Sequence, residues 1–195
     1  MNLPKVYLAS GSPRRSELLS QMGVKFDILR LEVDETVQEN ESPTDYVQRV
    51  AKAKALAGWQ VIELGAKHPV IGADTSVIVD CDILGKPNND EQALSMLQRL
   101  SGRQHQVLTA VAVAYNEQII YRLCVSQVTF SAMTAAEIDW YISTGEGQDK
   151  AGSYAVQGLA AMFIEDIQGS YSGIMGLPVR ETRELLMEIG QSCYE

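Results

Sequence analysis

Short apolar runs and longer amphipathic stretches alternate along this chain, the pattern of strands interleaved with helices. Val6 to Leu8 predicts a strand running into a loop of small residues, and Pro13 then opens a helix that carries Leu18 and Leu19. Phe26 to Leu31 reads as a second strand. Ser42 before Pro43 is a cap and first-turn signal for a helix through about Gly58, with Val47, Val50 and Ala51 on its apolar face. Val70 to Val79 predicts a strand interrupted at Gly72-Ala73-Asp74-Thr75, and Asp80-Cys81-Asp82 a turn before a short return at Ile83 and Leu84. Asn89 or Asp90 caps a helix bearing Ala93, Leu94, Leu97 and Leu100. Gln104 to Tyr115 and Gln118 to Phe130 are two long strands joined at Asn116-Glu117, a hairpin. Thr134 and Glu137 form a capping box for a helix to about Ser143. Gly145 to Gly158 is glycine-rich and irregular, Met162 to Ile167 is a strand, and Pro178 opens the last helix. Together these elements imply an α/β fold: a twisted mixed β-sheet with flanking helices.

At 195 residues, without repeats or a Pro/Gly/Ser linker, the chain is expected to form a single domain over residues 1–195. No stretch approaches the roughly 20 apolar residues of a membrane span, and Met1 to Lys5 lacks the features of a signal peptide. Cys81, Cys124 and Cys193 are odd in number and far apart, with no CxxC. That argues against a disulfide framework or a zinc site and fits a reducing cytoplasm. A net charge of −9 argues against a broad nucleic-acid surface. Basic residues that matter are instead expected as a local cluster, and anionic substrates would need close contacts and a bound cation.

The richest local pattern is Tyr7-Leu8-Ala9-Ser10-Gly11-Ser12-Pro13-Arg14-Arg15. Backbone N–H groups, the hydroxyls of Ser10 and Ser12 and the guanidinium groups of Arg14 and Arg15 meet at a helix N-terminus, an anion site by geometry and field. Arginine forks match phosphate oxygens in pairs, so phosphate is the expected anion. Asp74 follows the apolar pair Val70 and Ile71, which would deliver its carboxylate to a sheet end where it orients a water or holds a cation. Read alone, an aspartate there is more often a turn former. His68 and His105 are isolated, which points to surface or packing roles. Gly145-Glu146-Gly147 starts like a dinucleotide fingerprint but lacks the third glycine and a preceding strand, and no Walker A sequence occurs.

Five further blocks complete the pattern: Gly72-Ala73-Asp74-Thr75, Gly85-Lys86-Pro87, Leu100-Ser101-Gly102-Arg103, Asp149-Lys150-Ala151-Gly152-Ser153-Tyr154-Ala155-Val156-Gln157-Gly158 and Gly169-Ser170-Tyr171-Ser172. In this order and spacing the chain, from about Val6 to the last helix, resembles the Maf family of nucleoside triphosphate pyrophosphatases. The resemblance implies two lobes around a cleft, similar to the inosine-triphosphate pyrophosphatases. It makes Asp74 the catalytic proton acceptor and places Glu35 near the metal and phosphates, although Asp34 stands beside it. Lys54 and Lys86 match family lysines able to reach a phosphate, whereas Lys52 points to another helix face.

Thr75 and Gln157 are neutral groups that can pair with a base or sugar. Arg14, Thr75 and Gln157 stand where the dTTP/UTP subgroup has Arg, Thr and Gln, whereas the 7-methyl-GTP subgroup has Glu in place of the last. Asp149 and Lys150 either form an internal ion pair or approach the site. Gly147 replaces a proline usual in the family, which is expected to loosen the following loop, and Gly173 stands where asparagine is common. The implied reaction is hydrolysis of dTTP and UTP to the monophosphate and pyrophosphate. The implied cofactor is a divalent cation held by Glu35 and Asp74, Mg²⁺ first and Mn²⁺ as alternative. The implied assembly is a homodimer. Competing readings are a pyrophosphatase for 7-methyl-GTP or other noncanonical nucleotides, and a nucleotide-binding regulator of cell division.

Overall fold

A computed structural model describes residues 3–62, 68–116 and 118–192. The hairpin position Glu117 and the cysteine Cys193 lie outside the described residues. The chain runs β1 (Val6–Leu8), α1 (Pro13–Gln21), β2 (Phe26–Ile28), α2 (Pro43–Val61), β3 (Val70–Val79) and β4 (Asp82–Leu84). It continues through α3 (Asp90–Leu100), β5 (Gln104–Tyr115), β6 (Gln118–Phe130), α4 (Ala135–Ser143), β7 (Ile164–Gln168), α5 (Tyr171–Met175) and α6 (Val179–Ser192). Short 3₁₀ turns occupy Ala151–Ser153 and Leu159–Phe163. The strands form one mixed sheet in the order β2-β1-β3-β5-β6-β7, with β4 also pairing β3. The expected α/β architecture is therefore the one observed.

Local chemistry sets most boundaries. Ser42 and Asn89 accept from the third helical N–H of α2 and α3, and Thr134 and Glu137 close the reciprocal capping box of α4. Asp80 and Cys81 both take positive φ, 53° and 68°, which matches the twist of the β3–β4 hairpin. Four expectations are corrected. β3 is continuous through Gly72-Ala73-Asp74-Thr75, because β5 pairs with it from Val70 to Ile78. β2 stops at Ile28, since its partner β1 ends at Leu8 and turns away into the serine loop. Met162 lies in a 3₁₀ turn instead of the last strand, and α2 runs on to Val61.

A break along one edge of β3 positions the cleft. β1 pairs with β3 only as far as Ile71, and β4 joins only at Val77. Between them Asp74 and Thr75 sit at an opening in the sheet and point to opposite faces. On one face α2 packs with Ile78, Leu108 and Ala110. On the other, one apolar cluster forms around β1, α1 and α6, and a second around α3 and α4. Ile71 and Ala73 belong to the first and Val77 and Val79 to the second, so Thr75 lies between two halves of the core.

Gly72 governs the α2–β3 distance. A Cβ there would lie 2.4 Å from the Ala51 carbonyl oxygen and 2.5 Å from the Ala55 nitrogen, both helix backbone. Gly72→Ala is expected to lower unfolding stability by about 3 kcal/mol, read as a reduced urea midpoint at unchanged m-value.

His105 is buried in the core, with Nε2 2.9 Å from the Tyr154 hydroxyl and Phe130 edge-on to its ring. Burial holds its pKa down to about 4 from 6.5. The unfolded chain therefore takes up this proton first as pH falls, so the contribution is complete above about pH 6.5 and lost towards pH 4. Its full loss corresponds to about 3 kcal/mol. His105→Gln should flatten the decline in melting temperature between pH 7 and pH 5 relative to the parent protein.

Candidate active site

The opening beside β3 leads into a cavity of about 710 Å³. All ten side chains singled out in the sequence as catalytic, substrate-binding or metal-holding line it. Five cationic side chains (Arg14, Arg15, Lys54, Lys86 and Lys150) face three carboxylates (Glu35, Asp74 and Asp149) across its walls. A local positive excess inside a chain of net charge −9 is what an anion-binding cleft requires.

The β1–α1 loop forms one wall. Ser12 is the extended residue before α1, and its hydroxyl makes no cap bond to the helix. Ser10 Oγ instead accepts from the Ser12 N–H at 3.2 Å and from Arg15 Nη1 at 3.1 Å. The Arg15 fork continues to the Gly176 carbonyl through Nε at 2.8 Å and to Thr75 Oγ1 through Nη2 at 3.4 Å. Burial lowers the Arg15 pKa, and the Asp74 charge opposes that shift. Thr75 thus lines the cavity, as the sequence led one to expect, and its hydroxyl also holds Arg15. The Thr109 hydroxyl lies 3.0 Å from Thr75 Oγ1 and 2.7 Å from the Gly173 carbonyl oxygen.

Asp74 is 6% exposed, at the centre of β3 opposite Ala110. The close approach of α2 brings Lys54 Nζ to 2.8 Å from Asp74 Oδ1 and 2.9 Å from Glu35 Oε1. Lys54 thus bridges the two carboxylates, and it lines the cavity in which the sequence led one to expect its contact with phosphate. Burial raises the Asp74 pKa, while Lys54 and then Arg15 pull it back down and Glu35 pushes it up.

Glu35 comes from the long segment between β2 and α2. Arg49 ties that segment down through Glu41, at 2.6 and 2.8 Å, and through the Thr36 carbonyl at 2.9 Å. The Tyr46 hydroxyl donates to the Glu35 carbonyl at 3.0 Å, and its pKa is pushed up to about 12 by burial and by Asp74 and Glu35. Asp34 accepts from the Thr36 N–H at 2.9 Å and so serves its own turn, which separates it from Glu35. Lys52 sits over the Tyr121 ring on another face of α2, as its spacing implied.

The opposite wall is the segment before β7. Lys150 pairs with Asp149 and also lines the cavity, so both sequence alternatives hold together. Gly152 donates to the Gly85 carbonyl at 3.0 Å, which joins this wall to the loop carrying Lys86. Lys86 and Gln157 are exposed on the cavity side. Gly147 does not loosen its loop: a Cβ there would lie 2.1 Å from the Ser153 carbonyl oxygen, so glycine permits tight closure. A Cβ at Gly173 would meet Cys124 Sγ at 2.8 Å, so glycine lets α5 close on β6. Sequence reasoning missed α5 and the roles of Thr109 and Glu146. Their signals, a buried threonine and a glutamate within a glycine pair, are too common to be read without the fold.

The fold and cavity together define an α/β protein whose cation-lined cleft opens at a break in the sheet. The family model described as Maf-like protein matches residues 5–189, and the chain belongs to the Maf family. It is 49% identical over 189 residues to the dTTP/UTP pyrophosphatase of Pseudoalteromonas atlantica, covering 95% of this chain and 98% of that one. It is 50% identical to the dTTP/UTP pyrophosphatase of Alkalilimnicola ehrlichii, covering 95% and 93%. Among solved structures, the Staphylococcus aureus Ham1 protein aligns over 96% of this chain and 98% of its own, at 12% identity and a TM-score of 0.49.

Arg15→Lys keeps the charge but loses the fork that joins three elements. It is expected to cost about 2 kcal/mol of unfolding stability, read from the urea midpoint.

Proposed function

We propose that this protein hydrolyses dTTP and UTP to the nucleoside monophosphate and pyrophosphate. The observation that carries this reading is the convergence of Asp74 and Glu35 on Lys54 in the same cavity as Arg15 and the N-terminus of α1. Relatives about half identical over nearly the whole chain bear the name of that activity.

In this mechanism the N–H groups and hydroxyls from Ser10 to Ser12 bind the phosphate chain. Arg14, Arg15 and Lys86 face its oxygens as fixed positive charge. Asp74 accepts a proton from a water whose oxygen attacks the α-phosphorus. The bond from that phosphorus to the α–β bridging oxygen breaks, and its electron pair leaves on pyrophosphate. Charge growing on the leaving group meets cations already held in place, so little reorganisation is needed during the reaction. Lys54 holds Asp74 and Glu35 in mutual register. Gln157 presents a donor and an acceptor to the imide edge of uracil or thymine, which a carboxylate at this position would not match.

Glu35 and Asp74 also suit a divalent ion. Lys54 holds the two carboxylates close together, and their oxygens would be hard donors for Mg²⁺, with Mn²⁺ as the alternative. Among the described residues no cluster of three or more His, Cys, Asp or Glu side chains is assembled, so such an ion would draw its remaining ligands from substrate and water. When bound, the ion supplies charge neutralisation on phosphate oxygens and a more acidic water.

The reading places the protein in the cytoplasm, supported by the free thiols of Cys81 and Cys124. No described helix is long and apolar enough to cross a membrane. Assembly as a homodimer belongs to the same proposal on the family resemblance, and sedimentation velocity measures it.

Pyrophosphate release from dTTP and UTP with Mg²⁺ is expected to fall at least about a hundredfold in Asp74→Asn. It should also stop on chelation and return when Mg²⁺ is restored. Near-normal turnover in Asp74→Asn would remove the assigned base. Nucleotide binding without pyrophosphate release by the parent protein would remove the reaction itself.

A further inference from the structure

Gln157 sits in a tight turn, closed by the Gly158 N–H donating to the Ala155 carbonyl at 3.1 Å. Both flanks of that turn are gripped by one polar pair, the buried Tyr141 and the half-buried Glu146. On the entering side, the Ala155 N–H donates to the Tyr141 hydroxyl oxygen at 3.3 Å. On the leaving side, the Leu159 N–H donates to Glu146 Oε2 at 2.9 Å and the Ala160 N–H to Glu146 Oε1 at 3.3 Å. The two halves are joined, because the Tyr141 hydroxyl donates to Glu146 Oε1 at 2.8 Å.

The chain is shaped around this arrangement. Tyr141 is 1% exposed, and burial followed by the bond to Glu146 raises its pKa, so it remains a hydroxyl able to donate and accept at once. A Cβ at Gly158 would lie 2.1 Å from Glu146 Oε2, so only glycine lets the carboxylate reach the N–H groups behind the turn. Glu146 itself does not line the cavity. A carboxylate that accepts from a tyrosine and two backbone amides, and touches nothing in the cleft, sets the shape of the turn and takes no part in the chemistry.

We infer that Glu146 and Tyr141 form a clamp that fixes the Gln157 turn, making Glu146 a positioning residue for pyrimidine selectivity in this enzyme. The inference rests on the role proposed for Gln157. The groups facing the triphosphate belong to other elements: the β1–α1 loop, α1 and the β4–α3 loop that carries Lys86, with Asp74 on β3. Loss of the clamp should therefore change recognition of the base and leave the phosphate chemistry alone. Glu146→Gln is the informative change, because a carboxamide keeps the size but turns one acceptor into a donor facing donors.

The experiment measures kcat and KM for UTP and GTP, and inhibition by pyrophosphate, in Glu146→Gln, Gln157→Ala and the double variant. Glu146→Gln is expected to lower the preference for UTP over GTP about tenfold through KM, with kcat and the pyrophosphate inhibition constant within about twofold of the parent. The double variant should match Gln157→Ala in selectivity, because a clamp has nothing left to position once its glutamine is gone. Tyr141→Phe, which removes a single oxygen, should shift selectivity about threefold in the same direction and serves if Glu146→Gln does not fold. Unchanged selectivity in Gln157→Ala would overturn the base-reading role of Gln157. Lost selectivity in Gln157→Ala with parental selectivity in Glu146→Gln or Tyr141→Phe would overturn the clamp alone. A pyrophosphate inhibition constant that moves together with KM would overturn it too, by showing general collapse of the cleft.

Discussion

The close approach of α2 to β3 at Gly72 is the constraint on which the cleft depends. With no side chain at that position, the helix backbone lies directly on the strand, and Lys54 reaches a carboxylate projecting from the middle of the sheet. Unit charges about 4 Å apart interact by about 4 kcal/mol at an effective dielectric near 20, before the cost of desolvation. Asp74, almost wholly removed from water, needs that compensation to remain a carboxylate. Because Lys54 also holds Glu35, one ammonium faces two carboxylates and fixes their separation. The same helix carries Tyr46 and Arg49, which secure the segment bearing Glu35. A single packing distance thus sets the position of three ionisable groups.

A second network fixes the cationic wall. Arg15 joins the serine loop, β3 and the end of α5, and Thr109 ties Thr75 to α5 from below. Gly176 makes this possible: at φ 117° its chain direction places a carbonyl against the guanidinium. An arginine held at three points meets an anion without losing much rotamer freedom, which favours affinity through preorganisation. The acidic exterior leaves this wall as a local exception in the field of the molecule, and that contrast favours anions inside the cleft over anions elsewhere on the surface.

In the function proposed, chemistry and recognition fall to different kinds of structure. Asp74 and Lys54 stand on a central strand and a long helix, where packing over-determines their positions. Gln157 stands on a loop, whose shape has to come from polar contacts and close approaches at Gly147, Gly152 and Gly158. Loops able to vary while the rigid scaffold persists allow one reaction to be directed at different bases.

The elements themselves were legible in the sequence, because caps, prolines and apolar spacing act within a few residues. Ser42-Pro43, Asn89 and the Thr134–Glu137 box all mark their helices, and both long strands begin and end where alternation and the turn place them. The ten residues that line the cavity were legible as a set: eight stood in blocks whose order and spacing resembles a known family, and Glu35 and Lys54 were added by the resemblance alone. Their partners were not. Nothing local shows that Lys54 bridges two carboxylates, that Thr75 serves Arg15, or that Glu146 grips the turn around Gln157. Each of those contacts joins segments brought together only when the sheet forms. The continuity of β3 has the same origin, because β5 pairs across a stretch whose glycine and aspartate look like a break. Sequence determined the elements and the inventory of charge, through interactions along the chain. Tertiary structure decided which charges meet, through distances that only packing fixes.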